Sequence, residues 1–287
     1  MRWVLGAILA TTFAGGALAQ TSCGQFDFST PYANAFLSGV PYAGAPDAAE
    51  TITTMADGAC HQDTLVARLS EALGPVAGYK AAATSAGAQK QLGLDGPVLG
   101  VLLDGMLRES GATIAIDEGA RMIFELDLLA RVADPEALLA ATNRVEALAA
   151  IDAFIPFIEL GDLMVPKGAA ITGPLLQAMN AGARLGVVGA PLPTAGTTVE
   201  GTSAASGTLS LDGRVVAEAP AAALLGHPLD AVLWIADAVK TRGMTLEAGQ
   251  VLSLGSMGRF QMAAPGEIVG EYKGFGQTPA TVTLTLE

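Results

Sequence analysis

The sequence predicts an α+β protein in which a smaller, mostly helical part, residues 20–75, precedes a β-rich core, residues 76–287. In the first part apolar residues recur at helical spacing, at Leu65, Val66 and Leu69. In the second part short apolar runs alternate with polar residues between glycines and prolines, as strands do. The chain has no internal repeat and no low-complexity tract, so we expect a globular fold around a hydrophobic core.

The first residues have the pattern of a secretory signal peptide. Arg2 supplies a positive charge, residues 4–14 form a short apolar stretch, and residues 17–19 read Ala-Leu-Ala, the small-residue pattern of a cleavage site. The apolar stretch is too short for a confident transmembrane span. We expect residues 1–19 to be removed and the mature protein to be periplasmic or secreted. A buried N-terminal helix is the alternative.

Composition and charge limit the partners. The chain is 51% hydrophobic and 15% charged, with a net charge of −13 at pH 7. Such a surface repels phosphate backbones, and no Lys/Arg patch is visible, so we expect no binding to nucleic acid. Glycine, proline or charged residues interrupt the other apolar runs, so no membrane segment is expected after signal cleavage.

Only two cysteines are present, Cys23 and Cys60. In an oxidising compartment such a pair tends to form a disulfide, which would join the start of the mature chain to the segment ADGACHQD. We predict the disulfide, with two free thiols as the alternative.

Helices are predicted where apolar residues recur every three to four positions between stop signals. They cover the second half of residues 47–73, residues 85–93, 133–151 and 169–181, and residues 218–241 with an interruption near Gly226-His227-Pro228. Gly74-Pro75 and Gly93 end the first two, and Asp134 caps the third. Residues 20–46, rich in glycine, proline and aromatic residues, are expected to be irregular.

Strands are predicted from short apolar runs bounded by turn residues. They cover residues 76–80, 112–117, 120–132, 154–162, 183–191 and 207–216, and residues 249–287 are β-rich. We expect residues 113–132 to pair as two strands around an Asp-Glu-Gly turn, and residues 207–216 to form a hairpin around Asp212-Gly213.

Two acids, Glu125 and Asp127, interrupt the apolar run IFELDLLARV. Because successive residues of a strand point to opposite faces, both acids share one face and repel each other unless a cation lies between them. A divalent metal ion would solve this problem. The alternative is a solvated strand face, or ion pairs with Arg121 or Arg131.

A third carboxylate lies in the strand FIPFIELGD. Glu159 and Asp162 cannot both face inward in one strand geometry, and Glu159 is the better candidate because apolar residues flank it on both sides. Three carboxylates suit a hard ion such as Mg²⁺, Mn²⁺ or Ca²⁺ and leave about half of an octahedral shell open. Glu125, Asp127 and Glu159 are therefore the candidate metal ligands.

Lys80 and Asp104 are the candidate catalytic residues. Lys80 ends an apolar strand, and a lysine partly buried near acids can donate or accept a proton. Asp104, in VLLDGM, could orient it. A solvated strand-end lysine and a simple turn aspartate are the alternatives. His227, at a helix start, is expected to cap or pack, and the two isolated histidines suggest neither a zinc site nor a catalytic triad.

Several segments resemble a known family. GYKAAATSAGAQKQLGLDGPVLGVLLDGM resembles the corresponding segment of the 2-hydroxypenta-2,4-dienoate (2-keto-4-pentenoate) hydratases. These enzymes and the 4-oxalocrotonate decarboxylases belong to the fumarylacetoacetate hydrolase superfamily. The resemblance continues in order through FELDLLARV, PFIELGD, NAGARLGVVG, LLGHPLDAVLWIA, LEAGQVLSLGSMG and APGE.

The resemblance implies a mixed β roll that holds Mg²⁺ or Mn²⁺. By position, Glu125, Asp127 and Glu159 match the family's metal carboxylates, Lys80 its lysine near the substrate, and Asp104 its aspartate. It further implies a hydro-lyase acting on a small unsaturated 2-oxo or 2-hydroxydienoic acid, which the metal chelates and polarises while Lys80 moves protons. Relatives are oligomers, so we expect a homo-oligomer.

The substrate side departs from the family pattern. We expect Asn180, Gly255 and Ser256 to bind substrate, but Gly182 and Leu254 replace residues that carry hydroxyl groups in the family. Asp127 replaces a glutamate, and an export signal is unusual for intracellular catabolism. A changed substrate, a non-catalytic 2-oxo-acid-binding protein, or a decarboxylase or C–C hydrolase of the same superfamily are the alternatives.

Overall fold

A computed structural model of the protein describes residues 23–275 and 279–287, and the predicted signal peptide, residues 1–19, lies outside the described residues. The helices are α1 Ser29–Leu37, α2 Ala45–Thr51, α3 Met55–Leu73, α4 Ala86–Leu92, α5 Pro135–Ala140, α6 Arg144–Ala149, α7 Gly173–Ala178, α8 Val199–Ala204 and α9 Pro228–Thr241. The strands are β1 Val76–Ala82, β2 Val98–Leu103, β3 Leu107–Glu109, β4 Ala112–Ile114, β5 Ile123–Val132, β6 Ile151–Leu160, β7 Leu185–Val188, β8 Leu192–Pro193, β9 Ser206–Leu211, β10 Arg214–Pro220, β11 Val251–Ser253, β12 Gln261–Met262, β13 Gly266–Lys273 and β14 Ala280–Leu286.

The N-terminal part is helical from α1 onward, which corrects the expectation of an irregular segment. Phe28, Tyr32 and Phe36 recur every four residues and are all buried, so they form one apolar face of α1. The predicted disulfide is confirmed: Cys23 is bonded to Cys60 of α3, a sequence separation of 37 residues. It ties the described N-terminus to the longest helix.

The larger sheet is mixed and has the strand order β2-β1-β11-β5-β6-β7-β3, with β12 paired to β5 and β8 to β6. β1 and β11 are parallel, as are β3 and β7, while β5 and β6 form a long antiparallel pair at the centre. This arrangement confirms the α+β class with a mixed β core. It also places β1 two strands away from β5 in the same sheet.

A second sheet, in the order β10-β9-β13-β14-β4, covers one face of the first. Phe124, Leu126 and Leu128 of β5 are buried on that side, and a Cβ on Gly207 of β9 would lie 2.9 Å from Leu126 Cδ2. The even-numbered residues of β5 therefore form the core between the sheets. The odd-numbered residues point to the other face, where Glu125 lies.

Residues 112–132 do not form the predicted hairpin. β4 pairs in parallel with β14 in the second sheet, whereas β5 pairs with β6 and β11 in the first. A 3₁₀ turn at residues 116–118 carries the chain from one sheet to the other. Sequence alternation predicts strands correctly here, but it does not predict their partners.

Three predicted helices are shorter than expected. Asn143 ends the predicted helix 133–151 in its middle, because its side chain accepts hydrogen bonds from the Val145 and Glu146 amides and starts α6. The helix predicted at 169–181 is helical only in α7. The helix predicted at 218–241 is interrupted near Gly226-His227-Pro228 as expected: residues 218–220 belong to β10, and α9 begins at Pro228, where His227 accepts from the Leu229 amide.

Residues 221–241, which include α9, are long and apolar enough to cross a membrane by length and composition alone. Half of this segment is buried within the protein. On α9, Leu229, Val232, Ile235 and Val239 are fully buried. We therefore interpret α9, which makes up most of this segment, as a core helix.

Candidate active site

Three carboxylates lie on one face of the central strand pair. Glu125 and Asp127 are two residues apart on β5, so they point to the same side. Glu159 on β6 is directly opposite Glu125 in the antiparallel register, where opposite side chains are neighbours. Asp127 and Glu159 are buried, whereas Glu125 is partly exposed and marks the open side of the cluster.

Lys80 reaches these carboxylates from β1. Its ammonium forms an ion pair with Glu159 and donates a hydrogen bond to the Ala181 carbonyl at 3.2 Å. Lys80 is only 4% exposed, so it is not a solvated strand-end lysine. Gly100 on the neighbouring strand β2 makes room for it, since a Cβ there would lie 2.5 Å from Lys80 Cγ.

Asp127 is held by a serine and by its own strand. Ser253 Oγ on β11 donates to Asp127 Oδ2 at 2.6 Å, and the Leu128 amide donates to Oδ1. Behind the strand pair, the buried Tyr272 hydroxyl lies 2.5 Å from the Asp127 carbonyl oxygen and 2.7 Å from that of Phe157. Tyr272 thus fixes the β5–β6 backbone at the position of the acids.

Burial and mutual repulsion shift the protonation of this cluster. Burial, with a further contribution from Glu159, raises the pKa of Glu125 to about 7, although Lys80 opposes the shift. Burial and Glu159 likewise raise the pKa of Asp127 well above its usual range, despite hydrogen bonds from Ser253 and Leu128. Burial disfavours the charged lysine, but the ion pair with Glu159 and the nearby acids outweigh it and raise the pKa of Lys80. One lysine ammonium thus faces three carboxylates.

The chemistry of this donor set fits a divalent cation, but its present arrangement is not a closed ligand shell. Carboxylate oxygens are the ligands that Mg²⁺ and Mn²⁺ prefer, and a cation would offset the burial and the repulsion from Glu159 that raise the pKa values of Glu125 and Asp127. Within residues 23–275 and 279–287, however, no three His, Cys, Asp or Glu side chains converge on one point. Glu159 is turned to Lys80 and Asp127 to Ser253.

Comparison with known proteins decides the family. No protein-family model matches the chain. A 2-keto-4-pentenoate hydratase of Burkholderia vietnamiensis is 31% identical to it over 217 residues, which are 72% of this chain and 78% of the relative. The chain belongs to the 2-keto-4-pentenoate hydratase family. Membership confirms the resemblance seen in the sequence and supports the predicted hydro-lyase activity.

Solved structures confirm the fumarylacetoacetate hydrolase fold. The 4-oxalocrotonate decarboxylase from Pseudomonas putida G7, complexed with magnesium and adipate, matches with a TM-score of 0.77 at 24% identity. That match covers 89% of this chain and 94% of the decarboxylase. A fumarylpyruvate hydrolase from Pseudomonas aeruginosa, complexed with Mn²⁺ and pyruvate, matches with a TM-score of 0.52 at 14% identity over 73% and 89% of the two chains.

In this member of the hydratase family, Asp104 does not lie beside Lys80. β2 runs antiparallel to β1, so Gly100 pairs with Lys80, while Asp104 follows the end of β2 that pairs with Val76. Four residues of strand, roughly 13 Å, separate the two positions along the sheet. Asp104 is exposed, and its amide donates to the Pro75 carbonyl. The expectation that Asp104 orients Lys80 is wrong.

The three predicted substrate-binding residues fall in two places. Gly255 and Ser256 follow β11 directly, beyond the serine that holds Asp127; Gly255 contacts Thr84, and the Ser256 hydroxyl donates to the Gly258 carbonyl. Asn180 is buried, and its amide faces the edge of β2 rather than the carboxylates. Contact of Gly255 and Ser256 with a substrate stays a prediction.

Sequence reasoning missed three residues that shape the site: Ser253, Gly100 and Ala181. Ser253 carried a signal, since it is the single polar residue in the run VLSL, whereas its pairing with Lys80 is visible only in the structure. Gly100 and Ala181 carried none, because their roles come from absent side-chain volume and a backbone carbonyl. Such roles depend on neighbours distant in sequence.

Proposed function

We propose that this protein is a divalent-metal-dependent hydratase of a small unsaturated 2-oxo or 2-hydroxydienoic acid. The observation that carries the proposal is a lysine buried against three carboxylates on one sheet face, in a chain of the hydratase family. Two of those carboxylates, Glu125 and Asp127, have raised pKa values, as expected of a site that takes up a cation.

Glu125, Asp127 and Glu159 would hold Mg²⁺ or Mn²⁺, the ions present in the decarboxylase and fumarylpyruvate hydrolase structures. The ion would supply Lewis-acid stabilisation of enolate charge on a 2-oxo acid. Ser253 orients Asp127 for this task, and the partly exposed Glu125 lies on the side open to solvent. Asp127 has a shorter side chain than the glutamate expected there, so the serine that fixes it matters more.

Lys80 would hold and move the proton in the reaction. Its ammonium is buried, carries a raised pKa and lies within hydrogen-bonding reach of Glu159 and the Ala181 carbonyl. A proton held at Nζ can be donated to a substrate carbon during ketonisation, and the proton that the enol hydroxyl of the substrate releases can restore the ammonium. Burial of the stem against Gly100 keeps bulk water away from that step.

A decarboxylase is the second candidate function. It is favoured by the fold match to 4-oxalocrotonate decarboxylase, which covers nearly the whole of both chains. The absence of hydroxyl groups at Gly182 and Leu254, where the family resemblance leads us to expect them, supports a changed substrate. A decarboxylase would release CO₂ from its substrate, whereas a hydratase adds water and releases none.

The experiment is a turnover assay of the purified mature protein with Mg²⁺ or Mn²⁺. A panel of unsaturated 2-oxo acids is followed by loss of ultraviolet absorption, and products are analysed for CO₂ and for carbon fragments. We expect a 4-hydroxy-2-oxo acid without CO₂. Binding of these acids without turnover, unchanged by Lys80→Ala, would instead identify a binding protein that kept the fold.

Export and assembly belong to the same proposal. The N-terminal pattern and the Cys23–Cys60 disulfide support a periplasmic or secreted enzyme, since disulfides persist in oxidising compartments. Cell fractionation with mass determination of the mature N-terminus tests export: cleavage after Ala19 supports it, and an uncleaved chain in the cytoplasm contradicts it. Light scattering tests whether the protein is a homo-oligomer.

A further inference from the structure

The turn that contacts Lys80 has an unusual backbone. Asn180, Ala181 and Gly182 follow one another with φ values of 55°, 55° and 70°, all in the left-handed region. Alanine rarely adopts this conformation, so the surrounding structure must impose it. The result is that the Ala181 carbonyl points at Lys80 Nζ, 3.2 Å away.

The side chain of Asn180 holds this turn against the edge strand of the large sheet. Its Nδ2 donates to the Val101 carbonyl at 2.8 Å, and its Oδ1 accepts from the Val101 amide at 2.8 Å. The amide thereby makes the pair of hydrogen bonds that a neighbouring strand would make. Val101 is adjacent to Gly100, the residue that makes room for the stem of Lys80.

A buried network supports Asn180 from behind. Gln62 of α3 donates to Asn180 Oδ1 at 2.8 Å and to the Leu99 carbonyl at 2.7 Å. Gln62 Oε1 in turn accepts from Gln177 and from the guanidinium of Arg242, which follows α9. Gln62, Gln177 and Asn180 are each at most 5% exposed, so three helices are tied to one side-chain cluster.

The network and the lysine meet at one point. A Cβ on Gly100 would lie 2.5 Å from Lys80 Cγ and 3.0 Å from Ala181 Cβ, so the lysine stem and the turn pack together over this glycine. Moving the turn would therefore move both the hydrogen-bond acceptor of the ammonium and one wall of the channel that holds its stem.

We propose that Asn180 is a positioning residue for Lys80. It clamps the turn to Val101 so that the Ala181 carbonyl and Glu159 together fix the lysine ammonium beside the carboxylates. Gln62 orients the Asn180 amide and so determines which atom donates to which strand group. The catalytic consequence rests on the proposed function, whereas the effect on the position of the lysine does not.

The test compares two amide-to-acid variants. Asn180→Asp replaces the donor to Val101 by a carboxylate oxygen and breaks the clamp. Gln250→Glu is the matched control, because the Gln250 side chain also donates to a strand carbonyl, that of Val76, but lies outside the network around Asn180. Both variants lose a hydrogen bond to a strand carbonyl, so both should lower the melting temperature.

Two readouts separate positioning from plain stability. The first is the ¹⁵Nζ–¹H signal of Lys80 in metal-free protein labelled with ¹⁵N-lysine, since Lys80 is buried and the other four of the five lysines are exposed. The second is kcat against KM. We expect Asn180→Asp to abolish or shift the Lys80 signal and lower kcat by roughly tenfold to hundredfold, as small misplacements of a catalytic group do. KM should change by less than about threefold, because substrate binding is largely retained.

Gln250→Glu should leave the Lys80 signal and kcat unchanged. Equal effects of the two variants on both readouts would overturn the proposal, as would an unaltered Lys80 signal in Asn180→Asp. If Asn180→Asp does not fold, Gln62→Glu replaces it, because the new carboxylate faces the Arg242 guanidinium while the donor to Asn180 is lost. If the wild-type protein turns over no 2-oxo acid, the proposed function fails, and the Lys80 signal alone decides the positioning role.

Discussion

Two buried aspartates of the same strand pair have opposite surroundings. Asp162, just after β6, accepts from the backbone amides of Ala120, Arg121 and Met164 at 2.7, 2.8 and 3.2 Å. Asp127, in the middle of β5, accepts one hydrogen bond from Ser253 and one from the next amide of its own strand. Both side chains are at most 2% exposed.

The difference follows from where the two residues lie. Loops have free backbone N–H groups, and the loops around Asp162 fold over its carboxylate and satisfy it. The amides of a central strand are used by the ladder to its neighbours, so Asp127 and the nearby glutamates must take counter-charge from side chains or from an ion. A buried acid that is held by several backbone amides therefore indicates a structural role. A cluster of acids that takes its counter-charge from side chains or an ion indicates a functional one.

Replacing the lysine should have the largest effect. Lys80→Met keeps the buried stem but removes the ammonium, and we expect kcat to fall by roughly 10²- to 10⁴-fold, the range for a lost acid–base group. Lys240→Met, at an exposed lysine, is the control and should keep wild-type kcat. Full activity of Lys80→Met would show that the cluster of Lys80 and the carboxylates is not the catalytic site.

Replacing Asp162, the acid held by backbone amides, should affect stability alone. Asp162→Ala leaves three amides without their acceptor, and we expect a loss of about 3 kcal/mol in the free energy of unfolding. Urea unfolding measures this loss, and kcat of the remaining folded protein should stay within about twofold of wild type, since Asp162 does not contact the Lys80 cluster. A large loss of kcat without a loss of stability would reverse the two roles.

The pH dependence of stability should come from the carboxylates that face Lys80. Glu125 has a pKa raised from its ordinary value near 4.5 to about 7 in the folded state, so the folded protein binds a proton more tightly than the unfolded chain does. Stability without divalent ions should therefore fall as the pH rises from about 4.5 to 7. Urea midpoints in chelator measure this fall. Glu125→Gln should reduce it, the exposed Glu109→Gln should not, and a flat wild-type profile would contradict the assignment.

Removing the serine should have the smallest effect. Ser253→Ala takes away a hydrogen bond to Asp127 and should cost about 1–2 kcal/mol of stability. Because that hydrogen bond holds the carboxylate ionised, its loss should raise the pKa of Asp127 further and weaken cation binding at neutral pH. Titration with Mn²⁺ at two pH values measures the shift. Unchanged affinity at both would show that Ser253 is only a packing contact.

The sequence predicted the acids better than their surroundings. Period-two alternation placed Glu125 and Asp127 on one face, and the apolar flanks of Glu159 singled it out, because both are local properties of a strand. The position of Asp104 could not be predicted in this way, since it depends on the antiparallel register of β1 and β2. The hydrogen bond from Lys80 to the Ala181 carbonyl has no sequence signal, because its acceptor is a backbone atom.

Metal binding by two alanine variants tests directly whether Asp127 is a metal ligand and Asp162 a structural residue. Calorimetric titration of Mn²⁺ into wild type, Asp127→Ala and Asp162→Ala, below the melting temperature of each, compares the two acids in one measurement. We expect Asp127→Ala to lose at least about tenfold in Mn²⁺ affinity, roughly 1.4 kcal/mol, while Asp162→Ala binds as wild type does. Wild-type affinity in Asp127→Ala, or a loss confined to Asp162→Ala, would contradict it.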